Sequence, residues 1–206
     1  MSFNLHSLET RWFYPGGVPS KFESWFNSLG MVEKYPPRTD LYLSGLGEDL
    51  GIKLREGRLE IKRRTAEHGQ TMFSPEVSGL LEEWVKWSMA VEETAFGELS
   101  EQESWLAVRK TRQQVSFSLL SHGGLVPVDA GEFPPNGGSF ELTEVHVLDQ
   151  LWWTVGVEVF GEPEKLNEVF NNIMRFVMDR GLGQRLDFDH SLAYPGWVQQ
   201  LRSHVD

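Results

Sequence analysis

Long stretches of the chain alternate apolar with polar residues, the two-residue period of a strand that buries one face. From Leu5 to Tyr14, Leu8, Thr10 and Trp12 share one face and Ser7, Glu9 and Arg11 the other, until Pro15-Gly16-Gly17 breaks the pattern. Ser20 then reads as a helix N-cap, with Phe22, Trp25, Phe26 and Leu29 at helical spacing and Gly30 as the stop. Thr39 to Ser44 reads as a short strand, and Leu50–Arg55 with Arg58–Arg64 as the clearest hairpin, turned by Glu56-Gly57. Thr65 to Ser74 reads as loop, and Pro75 to Trp87 has helix-like spacing. Trp105–Arg112 and Val115–Leu120 add two strands, Gly123–Gly138 an exposed Gly- and Pro-rich loop, and Ser139–Leu148 with Leu151–Gly161 a second hairpin. Pro163 opens a helix with Leu166, Val169, Phe170, Ile173, Phe176 and Val177 on its apolar stripe. Tyr194-Pro195-Gly196-Trp197 leads into a short terminal helix. About eight mostly antiparallel strands with three or four helices predict an α+β domain on one large sheet that can close into a barrel.

Composition narrows the function classes. A length of 206 residues fits a single domain over residues 1–206, and 40% hydrophobic residues with eight tryptophans supply its core. No run approaches the ~18 apolar residues of a membrane helix. The first residues lack the basic-then-apolar plan of a signal peptide, so a cytoplasmic address and no membrane partner are expected. The absence of cysteine excludes disulfides, iron–sulfur clusters and thiolate zinc sites. A formal net charge of -11 argues against nucleic acid as a partner, because such binders need broad positive fields. Against that balance, the run from Lys53 to Arg64 gathers six basic residues in twelve positions. Its bases alternate with apolar residues and so share one strand face, which fits a small anion held in a cleft.

Two orientations of these faces are open. In an ordinary half-buried sheet the charges face solvent, while Leu54, Leu59, Ile61, Val155, Val157 and Val159 line a dry interior. In the inverse arrangement the charged faces line a wet tunnel, and the apolar faces pack outward against the helices at Ser20–Leu29 and Pro163–Val177. The strongly apolar stripes of those helices, which need sheet faces to cover, favour the second.

The residues then resemble a family. Ser7-Leu8-Glu9-Thr10-Arg11 stands where the Glu-x-Glu-x-Lys signature of the CYTH superfamily, the triphosphate tunnel metalloenzymes, would lie. Leu50-Gly51-Ile52-Lys53-Leu54-Arg55, Leu59-Glu60-Ile61-Lys62 and Val108-Arg109-Lys110-Thr111-Arg112 are similar to its basic strands, and Val155–Val159 to its late acidic strand. The superfamily includes thiamine triphosphatases, inorganic triphosphatases and class IV adenylate cyclases. The resemblance implies an eight-stranded antiparallel barrel of the tunnel kind with flanking helices. It implies a small polyphosphate partner, a triphosphate or organic polyphosphate, clamped by Arg11, Lys53, Arg55, Lys62, Arg64, Lys110 and Arg112. It further implies Glu9 and Glu158 as catalytic carboxylates that hold Mg or Mn, with Glu144 as a third ligand, in a metal-dependent triphosphate hydrolase. Ser7 in place of the first signature glutamate, Arg11 in place of its lysine and Gly156 in place of a second late acid leave the anion-binding half better kept than the metal half. A non-catalytic anion-binding protein on the same fold, and a lipocalin-like barrel for an apolar ligand, are the alternatives.

Other motifs lack their contexts. Gly45-x-Gly47-x-x-x-Gly51 is followed by a strand and no GK[ST]. The six histidines are scattered, and no serine sits in a nucleophile elbow. Trp84, Trp87, Trp152, Trp153 and Trp197 read as packing residues, and the acidic stretch Glu92 to Glu103 as a solvated loop or helix end.

Overall fold

A computed structural model describes residues 5–92, 94–129 and 131–203. Its strands are β1 (Leu5–Pro15), β2 (Glu33–Lys34), β3 (Arg38–Leu43), β4 (Leu50–Arg55), β5 (Arg58–Ser74), β6 (Val77–Ala90), β7 (Trp105–Leu119), β8 (Leu125–Val128), β9 (Gly137–Val147) and β10 (Gln150–Phe160). The helices are α1 (Ser20–Asn27), α2 (Thr94–Ser100), α3 (Pro163–Met178) and α4 (Tyr194–Ser203), with a short 3-10 turn at Phe188–His190. Antiparallel pairing runs β7-β3-β4-β5-β6-β1-β10-β9, and β9 returns to β7, closing an eight-stranded barrel. β2 and β8 are the two additional strands and prolong β3's side of β7. Closure leaves the barrel strands no free edge, so their backbone groups are paired around the ring.

The barrel is inside out with respect to an ordinary half-buried sheet. Leu8, Trp12, Phe140, Leu142, Val155, Val157 and Val159 point outward, into one core with Phe22 and Phe26 of α1 and Leu166, Val169, Phe170, Ile173 and Val177 of α3. The helices are the hydrophobic partner, and the alternate strand positions are therefore left to the interior. Pro163 does start α3, where a missing N–H costs nothing, and Arg175 lies in its last turn, favourable to the helix dipole. At one end the interior is filled. Inward-facing Phe13, Tyr42, Leu106, Val108, Val145 and Val147 pack against Trp197, Val198 and Leu201 of α4. Trp197 stacks on Phe13 at 4.7 Å and meets Trp152 and Tyr194 edge-on. The tunnel is thus a pocket, stoppered by the C-terminal helix.

Several local expectations are corrected. Thr65–Ser74 is strand, and Pro75–Trp87 is strand rather than helix: β5 and β6 make one long hairpin. Bulges between Arg64 and Ala66, Glu67 and Gln70, and Met72 and Ser74 break the simple alternation on β5. On β6, Trp84 and Val85 are both buried, one inside and one outside, which imitates a helical spacing. Trp105–Arg112 and Val115–Leu120 are a single strand, β7. The loop Gly123–Gly138 contains β8, and the acidic stretch after Glu92 contains α2. Pro19, not Ser20, is the cap of α1. The Glu56-Gly57 turn is as expected, with both residues at positive φ.

The stopper has a measurable consequence. Trp197→Ala removes a fully buried indole, and urea unfolding is expected to show a loss of about 3–5 kcal/mol.

Candidate functional site

The inward positions of the strands enclose a cavity of about 520 Å³, within the range of small-molecule sites. Eight basic and five acidic side chains line it, in a chain that carries a net charge of -11. Period two explains the convergence: Glu9 and Arg11 come from β1, Lys53 and Arg55 from β4, and Glu60 and Lys62 from β5. Lys110 and Arg112 come from β7, Glu141 from β9 and Glu158 from β10.

Three buried carboxylates each hold two cations. Glu141 takes Arg11 at 2.9 Å on one oxygen and Arg112 at 3.4 Å on the other. Glu60 takes Lys53 at 3.0 Å and Arg55 at 2.9 Å, again on separate oxygens. Asp40 takes Arg38 at 3.1 Å and Lys110 at 3.2 Å. With both of its bases protonated, each triad carries one positive charge more than its carboxylate neutralises. Burial works against the Glu141 and Asp40 anions, but Arg11 and Arg112 on one and Lys110 and Lys53 on the other hold both down to about 2. Burial pushes Lys110 down to about 7 despite Asp40. Its amino group also donates to the Tyr42 hydroxyl at 2.6 Å and lies 3.6 Å above the Tyr194 ring.

A fourth cluster has the opposite ratio. Glu9 and Glu158 face each other across the β1–β10 ladder, and the Lys62 ammonium lies between them, 2.5 Å from Glu9 and 3.5 Å from Glu158. Glu158 is held well below the usual carboxylate range, chiefly by Lys62. On the other side of β1, Glu9 opposes Glu82, which accepts from Arg64 at 2.6 Å. Burial pushes the Glu82 carboxyl up to about 7, against Arg64. Lys86 of β6 stands directly opposite Lys62. Its amino group makes no ion pair with a described residue, although it lines the cavity. Arg112 Nε and the Tyr194 hydroxyl are buried and find no hydrogen-bond partner among the described residues.

Of the residues singled out in the sequence, Glu9, Glu158, Arg11, Lys53, Arg55, Lys62, Lys110 and Arg112 all line the cavity. Arg64 keeps the inward phase but its guanidinium is engaged by Glu82 and by Glu67 at 2.8 Å, outside the cavity lining. Glu144 does not join them. It lies on the outward face of β9, with His146 at 3.1 Å, because the inward set on that strand is Ser139, Glu141 and Thr143. Asp40, Tyr42, Arg38, Glu141 and Tyr194 were not singled out as site residues in the sequence, nor was Lys86, hidden in the stretch read as helix. The signal for Glu141 was present, two residues before Thr143 on an alternating strand. Among the described residues, no group of three Asp, Glu or His side chains converges where a metal ion could be held.

Gly156 has a steric role. It lies opposite Arg11 in the β1–β10 ladder, and an added Cβ there would sit 2.8 Å from the Thr10 carbonyl oxygen and 3.1 Å from Arg11 Cβ. The glycine clears the inward space that Arg11 uses. Gly156→Ala is expected to cost about 1–3 kcal/mol in chemical unfolding. A second expectation follows from the depressed carboxylates. Their folded pKa values lie below the unfolded ones, so the stability they contribute is present at neutral pH and lost as pH falls from about 4.5 to about 2. Stability against urea measured across that window should fall steeply in the native chain and less steeply in Glu141→Gln.

No protein-family model and no curated protein sequence matches the chain.

Proposed function

We propose that the barrel binds a small phosphate-bearing anion, a triphosphate or organic polyphosphate, in a CYTH-like pocket, and that binding rather than hydrolysis is its function. The observation that carries this reading is the two-to-one ratio of cations to carboxylate at Glu141, Glu60 and Asp40. Surplus positive charge enclosed by protein is costly, and a multivalent anion relieves it. Arginine forks suit phosphate oxygens, and the triads fix them before the ligand arrives. Lys86, which lines the cavity and makes no ion pair with a described residue, adds a cation that an incoming anion can engage. The charged lining weighs against the apolar ligand of a lipocalin-like barrel.

The mouth differs from the depths. Leu5, Val128, Phe133, Pro134 and Phe160 line it, and Phe133 is 88% exposed. An organic polyphosphate would direct its phosphates inward and rest its carbon skeleton there. No helix among the described residues is long and apolar enough to cross a membrane.

Tripolyphosphate at about a hundred times its dissociation constant is expected to stabilise the chain by about 2.7 kcal/mol in thermal or chemical unfolding. Lys86→Ala should weaken binding about tenfold, the loss of one charge-assisted contact. Unchanged unfolding at millimolar tripolyphosphate would sink the reading. Phe133→Ser should lower affinity for an organic triphosphate and leave that for tripolyphosphate unchanged, as read by calorimetry.

A further inference from the structure

We infer that Lys62 is a built-in counter-ion that occupies the place of a divalent metal, so that the cavity takes its anion without one. The inference rests on the anion-binding reading for its consequence, but its geometry stands alone. Glu9 and Glu158 are register partners on neighbouring strands, with both side chains turned inward. Two carboxylates so placed repel each other unless a cation lies between them. In number they would suffice for Mg²⁺ or Mn²⁺, which commonly take one or two carboxylates and complete their shell with water and phosphate oxygens. Here the chain supplies the cation itself: the Lys62 ammonium reaches both, and it lies over the Trp84 ring, 5.3 Å from the ring centre. A divalent ion would have to expel a paired ammonium and then lie beside it and Arg11 in the same cavity.

The role of Lys62 is therefore to neutralise the two carboxylates that face the phosphate site. Without it, an anion entering among the three triads would meet two carboxylates offset only by the more distant charges of Lys86 and Arg11. A divalent ion could then restore the balance. Lys62 is a positioning and charge-balancing residue for the anion, and the chain is metal-independent because of it.

The experiment uses the full chain and three titrations. Wild-type protein is titrated with Mn²⁺ alone, followed by electron paramagnetic resonance, and with tripolyphosphate first in EDTA and then with Mn²⁺, followed by calorimetry. Lys62→Met and Lys62→Gln, checked for folding by circular dichroism, are titrated in the same way. The expected result is no Mn²⁺ bound by wild type and one Mn²⁺ bound by the variants. That uptake should be lost when Glu158→Gln is added. Tripolyphosphate should bind wild type equally with and without EDTA. The variants should bind it at least tenfold more weakly in EDTA and recover with Mn²⁺. One Mn²⁺ taken up by wild type and lost in Glu158→Gln would overturn the inference, as would folded variants that take none. Wild type that binds tripolyphosphate only with a divalent ion would overturn it too, while leaving the anion-binding reading intact. Wild type that binds no tripolyphosphate under either condition would sink the anion-binding reading, and the Mn²⁺ titrations would then decide the role of Lys62 by themselves. If neither variant folds, Mn²⁺ uptake by wild type, compared with Glu158→Gln, still decides whether the lysine or a metal balances the two carboxylates.

Discussion

Charge compensation inside a closed barrel is the constraint on which this structure depends. A charged group removed from water costs several kcal/mol unless an opposite charge and hydrogen bonds replace its hydration. The barrel meets that demand with carboxylates shared between cations. Glu141, Glu60 and Asp40 each present separate oxygens to two bases, and Lys62 is shared in the reverse sense between Glu9 and Glu158. These clusters join β1, β3, β4, β5, β7, β9 and β10 across the interior. They fix the direction of the paired side chains before any ligand is present, which is what electrostatic recognition of an anion requires. They also leave a positive surplus in an otherwise acidic protein.

The polar interior is possible only because the hydrophobic core lies elsewhere. α3 and α1 cover the outer face of β9, β10 and β1, and α4 closes one end with aromatic rings. The apolar free energy that holds the fold is thus gained outside the ring and at its base, leaving the centre open to water and ligand. Gly156 shows how finely the two halves are fitted, since a single methyl group on that inward position would press on Arg11. The aromatic stopper and the deep cations also touch each other. Tyr42 and Tyr194 belong to or border the apolar end and at the same time face Lys110. Part of the charged cavity lining is therefore built on the plug.

The barrel class and the grouping of eight of the cavity residues onto shared strand faces were legible in the sequence, because alternation sorts them without knowledge of the partners. Lys53 and Arg55, or Lys110 and Arg112, must share a face if their segments are strands. Lys86 was not legible, because two large apolar residues on opposite faces of β6 imitate a helix. Glu144 was misplaced for a different reason: it has the right chemistry on the right strand, but a shift of one position on a strand exchanges inside for outside. Asp40 carried no motif at all, and only the pairing of β3 with β7 brings it to Lys110.

By itself the sequence determined the period of each strand, the apolar stripes of the helices and the set of charges that must travel together on each face. These are local properties, fixed by backbone geometry and side-chain type. Only the tertiary structure decided which face turned inward, which carboxylate met which base, and that the tunnel ended at α4. Those outcomes depend on register between segments as far apart as Arg11 and Glu141 or Lys62 and Glu158. A strand's own alternation looks the same whether its charged face meets solvent or a cavity, so the choice belongs to the helices that cover the other side.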